Sequence, residues 1–402
     1  MVVRSHRSPI CLVGAYVVFG IGMCDGRIAI AGSLDSLARS AIQTSLRCLE
    51  RGVLAVRDSN LYPAYGTPDL RWQLKPSSDW VSGFYPGCLW YAYELSGDPR
   101  FKQWAEQWTA GIEKEKLNAE THDLGFRFMC SFGNGLRLCT DSVSCSYRGI
   151  ILTAARTLSG RYNPKIGCLS SNWDRERIPD SFPVVIDIMM NLEILFWASQ
   201  HGGPVDWASI ARTHALSTCR DFVRPDGGTY HIVRYNKITG AIINKGQLQG
   251  ERDESTWTRG HAWMVYGLVV TYRYTKEKPF LDMAVRLANY FLKNLPEDGI
   301  APWDFQSQNR TKDVSASCIV ASALLELVNY FENDSVRTRF RKHAEMILAS
   351  LCSAPNFVGG GTSNCLLTHS TQYLPINSNV DVPAIFADYY FLEALTRFCT
   401  SK

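Results

Sequence analysis

The feature that most restricts what this chain can become is a helical period of apolar residues that returns again and again with little strand signal between the repeats. It predicts helices over about 34–52, 81–96, 98–113, 123–136, 141–158, 183–199, 205–220, 257–274, 277–294, 313–331, 335–350 and 383–399. Turn and capping residues punctuate the series at SGDP (96–99), HGGPVD (201–206) and ENDS (332–335). WYAYELSGD, LVVTYRYTKE and LELVNYFEND share one texture, an aromatic helix end followed by a polar turn. That texture marks a degenerate repeat of helical hairpins. Helices with broad apolar faces must pack on one another. Twelve in alternating pairs fit an inner ring of six and an outer ring of six, an all-α (α/α)6 toroid. An α-solenoid is the competitor, but its repeats resemble each other more closely and need caps. The one non-helical insert is 227–246, which alternates, carries Thr239-Gly240 at its turn and predicts a β-hairpin.

No flexible internal linker divides the 402 residues, so 32–402 are expected to form one domain. Ahead of it, Arg4, His6 and Arg7 precede the apolar run ICLVGAYVVFGIGM, and Ala29-Ile30-Ala31 offers a small-x-small cleavage site. Residues 1–31 therefore predict a secretory leader and a secreted protein with no stable membrane association once the leader is removed. The run is shorter than the roughly 20 apolar residues a membrane-spanning helix needs. Thirteen cysteines show neither C-x-x-C pairs nor zinc-site spacing, so no metal is expected, and no organic cofactor either. Asn309-Arg310-Thr311 and Asn333-Asp334-Ser335 are glycosylation sequons in a eukaryotic secretory route. The formal charge of +4 is spread along the chain without a dense basic block, which argues against a nucleic-acid partner.

Three stretches carry chemistry. PVVIDIMMNL (183–192) sets Asp187 among Val, Ile and Met, with Asn191 one helical turn on. Desolvation there is expected to raise the Asp187 pKa, as a general acid requires; the bland alternative is a buried aspartate tied to a helix end or an arginine. THDLGF (121–126) supplies His122 and Asp123, either a helix cap or the second carboxylate of a glycosidase pair. QGERDESTWTRGHAW (249–263) crowds Gln249, Trp257, Arg259, His261 and Trp263 into one segment. Aromatic planes that stack on sugar rings and a guanidinium that grips a carboxylate are parts a uronic-acid site needs. Trp80 and Trp173 fall near loops, where each is as apt to face a pocket as to pack.

These stretches, with SDWVSGFYPGCLWYAYELSGD, GGTYHIVRYNKITG, LPEDGIAPWDF and ADYYFLEAL, resemble in order the unsaturated glucuronyl hydrolases of glycoside hydrolase family 88. The resemblance runs from about residue 40 to 399 and itself implies the (α/α)6 fold. It implies that Asp187 is the general acid and base acting on a 4,5-unsaturated uronic acid at the non-reducing end of a lyase-generated oligosaccharide. Protonation of carbon 4 leaves an oxocarbenium-like cation at carbon 5, water adds there, and the hemiketal opens. It also implies that Asp123 is the second essential carboxylate beside His122, that Trp80 and Trp173 are aromatic walls, and that His231 and Gln249 are polar site residues. Trp257 and Arg259 match the family's stacking and positively charged pair. His261 stands where many relatives have Gln, and is expected to be able to titrate near neutrality. No Ser-x-x-Ser-x-Lys run of the kind linked to sulfate reading is present near 366–376. Rival readings are an unsaturated rhamnogalacturonyl hydrolase, a catalytically silent sugar-binding toroid and an (α/α) epimerase.

Overall fold

The computed structural model describes residues 26–56, 60–139, 142–171, 178–332 and 335–400. In chain order the elements are α1 (Gly26–Val56), β1 (Tyr62–Gly66), β2 (Trp72–Lys75), α2 (Phe84–Ser96), α3 (Pro99–Ala110), α4 (Leu124–Phe128), α5 (Asn134–Leu138) and α6 (Ser142–Ser159). There follow β3 (Tyr162–Asn163), β4 (Cys168–Leu169), β5 (Ser181–Val185), α7 (Ile188–Asn191), α8 (Glu193–Gln200), α9 (Asp206–Phe222), β6 (Ile232–Asn236) and β7 (Ile242–Gly246). The chain ends with α10 (Thr258–Thr275), α11 (Lys278–Asn294), α12 (Val314–Leu327), α13 (Ser335–Leu351) and α14 (Ile385–Thr400).

The inner ring closes on itself. α14 packs on α2, α2 on the α4–α5 segment, α4 on α7, α7 on α10, α10 on α12, and α12 back on α14. Composition separates inner from outer helices. Every residue of α12 from Val314 to Leu327 is buried, as a helix enclosed on all sides must be. α11 instead buries a single stripe, Phe280, Leu281, Ala284, Leu287, Ala288 and Phe291, and turns its polar face outward. Local signals end the helices where expected. Gly97 closes α2 at φ 69°, a left-handed cap without Cβ strain, and the Asp98 side chain then accepts the Arg100 N–H at 2.9 Å to open α3, with Pro99 at its first position.

Outside the expected insert, β1 pairs antiparallel with β2 and β3 with β4, and two of the expected helices come out differently. The helix expected over 183–199 begins as strand β5, which pairs antiparallel with β6, while β6 pairs with β7 in the expected hairpin. The run Phe182-Pro183-Val184-Val185 suits an edge strand, since β-branched residues favour the pleat and Pro183 has no N–H to offer a neighbour. The helix expected over 123–136 is interrupted by a π-turn at Met129–Gly133 between α4 and α5. The leader residues 1–25 and the second sequon, through Asn333, lie outside the described residues.

Candidate active site

Asp187 sits where β5 hands over to α7, at the N-terminal end of an inner helix. The backbone N–H of Ile186 donates to the His231 carbonyl at 2.9 Å, so the sheet sets the height of the turn. The side chain keeps 17% of its surface, and Oδ2 lies 3.4 Å from His231 Nε2. That separation is ion-pair range without good hydrogen-bond geometry. The raised pKa expected from the sequence is corrected here. Burial does push the carboxyl up, but His231 against it and, after it, His122 together pull it below the ordinary value. An apolar sequence neighbourhood reports desolvation alone; the opposing imidazoles come from other elements.

His231 is held from behind. The backbone N–H of Gln249 donates to its Nδ1 at 3.1 Å, which places the ring hydrogen on Nε2, facing Asp187. Trp257 stacks on the imidazole with centroids 4.3 Å apart, and the Arg259 guanidinium lies 4.6 Å over the Trp257 ring. Both Trp257 and Arg259 are 2% exposed. Arg259 donates through Nη2 to Gln249 Oε1 at 2.9 Å and to the Gln372 carbonyl at 2.6 Å, and through Nη1 to Asp313 and the Thr371 carbonyl. Trp257 and Arg259 thus brace the site from beneath, where the sequence pattern pointed to an open stacking face and a free guanidinium.

The second carboxylate stands on the adjoining inner helix. Asp123 occupies the position before α4 without capping it, so the cap alternative is set aside. Its Oδ2 accepts the Thr121 hydroxyl at 2.9 Å, and its Oδ1 lies 3.3 Å from His122 Nε2. His122 Nδ1 meets the Ser171 carbonyl at 3.3 Å. A carbonyl only accepts, so Nδ1 carries hydrogen, and the other nitrogen attracts the carboxylate when a proton lies between them. Asn191 ties the two carboxylate-bearing helix ends together: Oδ1 accepts the Phe126 N–H at 2.9 Å and Nδ2 donates to the Asp187 carbonyl at 3.3 Å. α4 and α7 approach so closely that a Cβ on Gly125 would meet the Asn191 Cα at 2.4 Å.

Trp80 is half-buried against Phe84, Phe126 and Phe386 on the same face of the ring. Trp173 lies outside the described residues. His261 is corrected. It is fully buried, with Nε2 against the Leu287 carbonyl at 2.9 Å, and burial brings its pKa to about 4, so it faces α11 and stays neutral near neutrality. Trp263 is core, packed on Phe126 and Tyr390. Sequence reasoning missed two acids. Asp79, beside Trp80, is pushed up by burial against lowering contributions from Val81, Lys75 and Arg127, with Asp123 adding to the rise. Asp313 opens the helix expected over 313–331, and nothing else in the sequence marks it.

A cavity of about 690 Å³ opens at the opposite mouth of the ring, among the C-terminal ends of α2, α10, α12 and α14, and reaches inward to Gly125, Phe126 and Met190. Its charges are spent on one another. Glu326 accepts Arg273 and Tyr330, and lies within ion-pair distance of Arg397; Glu393 accepts Tyr91, Tyr266 and Ser322. The paired acid–imidazole groups are all at the other end.

No family model matches the chain. An unsaturated glucuronyl hydrolase of Formosa agariphila is 40% identical over 328 residues, 80% of this chain and 80% of the relative. A crystal structure of an unsaturated glucuronyl hydrolase specific for heparin superposes with a TM-score of 0.85 at 35% identity, covering 91% of this chain and 98% of its own. A solved structure of a substituted UGL with dGlcA-Glc-Rha-Glc superposes at 0.84 and 30% identity, covering 90% and 96%. With the two acid–imidazole pairs at one mouth of a closed helical ring, these likenesses place the chain among the glycoside hydrolases: it belongs to the unsaturated glucuronyl hydrolase family.

Proposed function

We propose that Asp187 carries the reaction, first protonating carbon 4 of a 4,5-unsaturated uronic acid at the non-reducing end of a lyase-generated oligosaccharide, then taking a proton from the water that adds at carbon 5. The hemiketal so formed opens and releases the remaining sugar. One group can serve both steps because hydration of a vinyl ether needs neither a protonated bridging oxygen nor a covalent intermediate.

The observation that carries this reading is the Asp187–His231 pair at the mouth of the ring, one inner helix away from Asp123–His122. In the free protein Asp187 is held as the anion. A bound uronate brings a second negative charge and expels water, and both effects favour protonation of a carboxylate. The substrate thereby loads its own acid. Asp123 and His122 take ring hydroxyls, Trp80 and Trp173 wall the sugar, and Gln249 and His231 orient it, braced by Trp257 and Arg259.

We extend the proposal to the N-terminus: residues 1–31 are a leader, 32–402 are the catalytic domain, and the mature protein is secreted. The basic-then-apolar pattern ending at Ala31 supports this. Edman sequencing of protein recovered from culture medium tests it.

The enzymatic test follows loss of the conjugated double-bond absorbance on heparin-derived, chondroitin-derived and dGlcA-Glc-Rha-Glc substrates. Turnover of at least one by the wild type, and of none by Asp187→Asn that still binds it, is expected. A folded protein inactive on the whole panel, or an active Asp187→Asn, would sink the assignment.

A further inference from the structure

Asp313 lies under the site without reaching the sugar side of it, and its two oxygens do different work. Oδ1 caps α12, accepting the Ser315 N–H at 3.2 Å together with the Ser315 hydroxyl and the Thr371 N–H at 3.3 Å. Oδ2 accepts Nη1 of Arg259. A helix cap needs one acceptor oxygen, which a neutral Ser or Asn supplies. An aspartate with no exposed surface bound to an arginine 2% exposed is a costly arrangement unless further bonds offset it. One of those further bonds leads toward the reacting group. Arg259 spends its remaining contacts on Gln249 Oε1 and on the Thr371 and Gln372 carbonyls; the Gln249 N–H sets the His231 tautomer; and His231 Nε2 faces Asp187.

We propose that Asp313 is a positioning residue for the reaction: by anchoring Arg259 it seats Gln249 behind His231 and so aims the Nε2–H at Asp187. The inference deepens, and rests on, the reading of Asp187 as the reacting acid. The start of α12, α10 with the 247–257 loop that leads into it, and the start of β6 then act as one support for a carboxylate at the N-terminal end of α7.

Asp313→Asn separates the two roles of the residue. The amide keeps an oxygen for the cap, but turns an N–H₂ toward the guanidinium. The expected result is a fall in kcat of about 10- to 100-fold, the scale of a misplaced catalytic group, with KM changed less. The basic limb of the kcat–pH profile should move to higher pH as the His231 contact loosens, and the His231 ring nitrogens should lose the single Nε2–H pattern in long-range ¹H–¹⁵N spectra. Asp313→Glu, which restores the charge, should recover part of kcat. A purely structural Asp313 would lower the melting temperature while leaving profile and spectrum in place, and that result overturns the proposal. Should Asp313→Asn not fold, Arg259→Lys cuts the same chain one link on and is read by the same spectrum. The spectrum does not depend on Asp187 being catalytic: an active Asp187→Asn with a disturbed His231 in Asp313→Asn would overturn the reaction assignment and leave the support itself intact.

Discussion

His231 Nε2 faces Asp187 Oδ2 across 3.4 Å, and the backbone N–H of Gln249 holds the ring in that orientation. The pair sets the charge of the central carboxyl. Burial alone would raise the Asp187 pKa, and His231 with His122 reverses the sign.

The first prediction follows from that sign. Asp187 is ionised in the free protein, so kcat/KM should rise toward acid pH as the carboxyl takes its proton. His231→Gln removes the largest opposing cause and leaves desolvation opposed chiefly by His122, so the basic limb should shift to higher pH. A pH–rate profile of the two proteins measures it; an unmoved limb in the variant contradicts the account.

Asn191 joins α4 to α7 through two bonds, one to Phe126 N and one to Asp187 O. Asn191→Ala leaves the buried Phe126 N–H without its acceptor, at a cost of about 1–3 kcal/mol. Because it also frees the turn bearing Asp187, kcat should fall further than the loss of folded protein explains. Denaturant unfolding alongside single-turnover rates separates the two effects.

At the opposite mouth, Arg273 and Arg397 both lean on Glu326, which their charge and bonds bring to about 2 against the upward push of burial. Glu326→Gln leaves two half-buried guanidinium groups each short of one partner, with Glu193 and Glu393 still in place, a loss of about 1–3 kcal/mol. Melting temperature should drop sharply while the kcat of the folded fraction stays near wild type, since these charges lie at the far end of the ring. The native carboxyl also contributes stability that is present above the ordinary glutamate pKa and is lost as pH falls through about 2.

Asp388 behaves oppositely. Burial raises it to about 8 despite accepting the Leu366 and Leu367 N–H groups at 2.9 and 3.0 Å. A folded pKa above the unfolded value means that its contribution is whole below about 4 and declines as pH rises through about 8. The Asp388 contribution should therefore decline between about pH 4 and pH 8 and level off above it, and Asp388→Asn, which has no proton to lose, should flatten that decline. Chemical denaturation at a series of pH values checks it.

Much of the architecture is legible in the residue pattern. The 3.6-residue period and its caps, Gly97 and Asp98 among them, are local properties, so helix order and most boundaries follow from neighbours in sequence. The same holds for the Thr239-Gly240 hairpin and for the presence of acids before α4 and α7. Strand β5 escaped because a short apolar run reads alike as buried helix or strand, and only its partner β6 decides between them.

Charge state and side-chain role were settled by tertiary structure. His231 lies 44 positions beyond Asp187 in the numbering and Asp313 lies 54 beyond Arg259, yet these contacts decide whether the acid is ionised and whether the guanidinium is free. His261, polar in sequence, is neutral core because α11 covers it. A pattern records what each residue prefers; the energy of a buried charge depends on which distant groups the fold brings within a few ångströms of it.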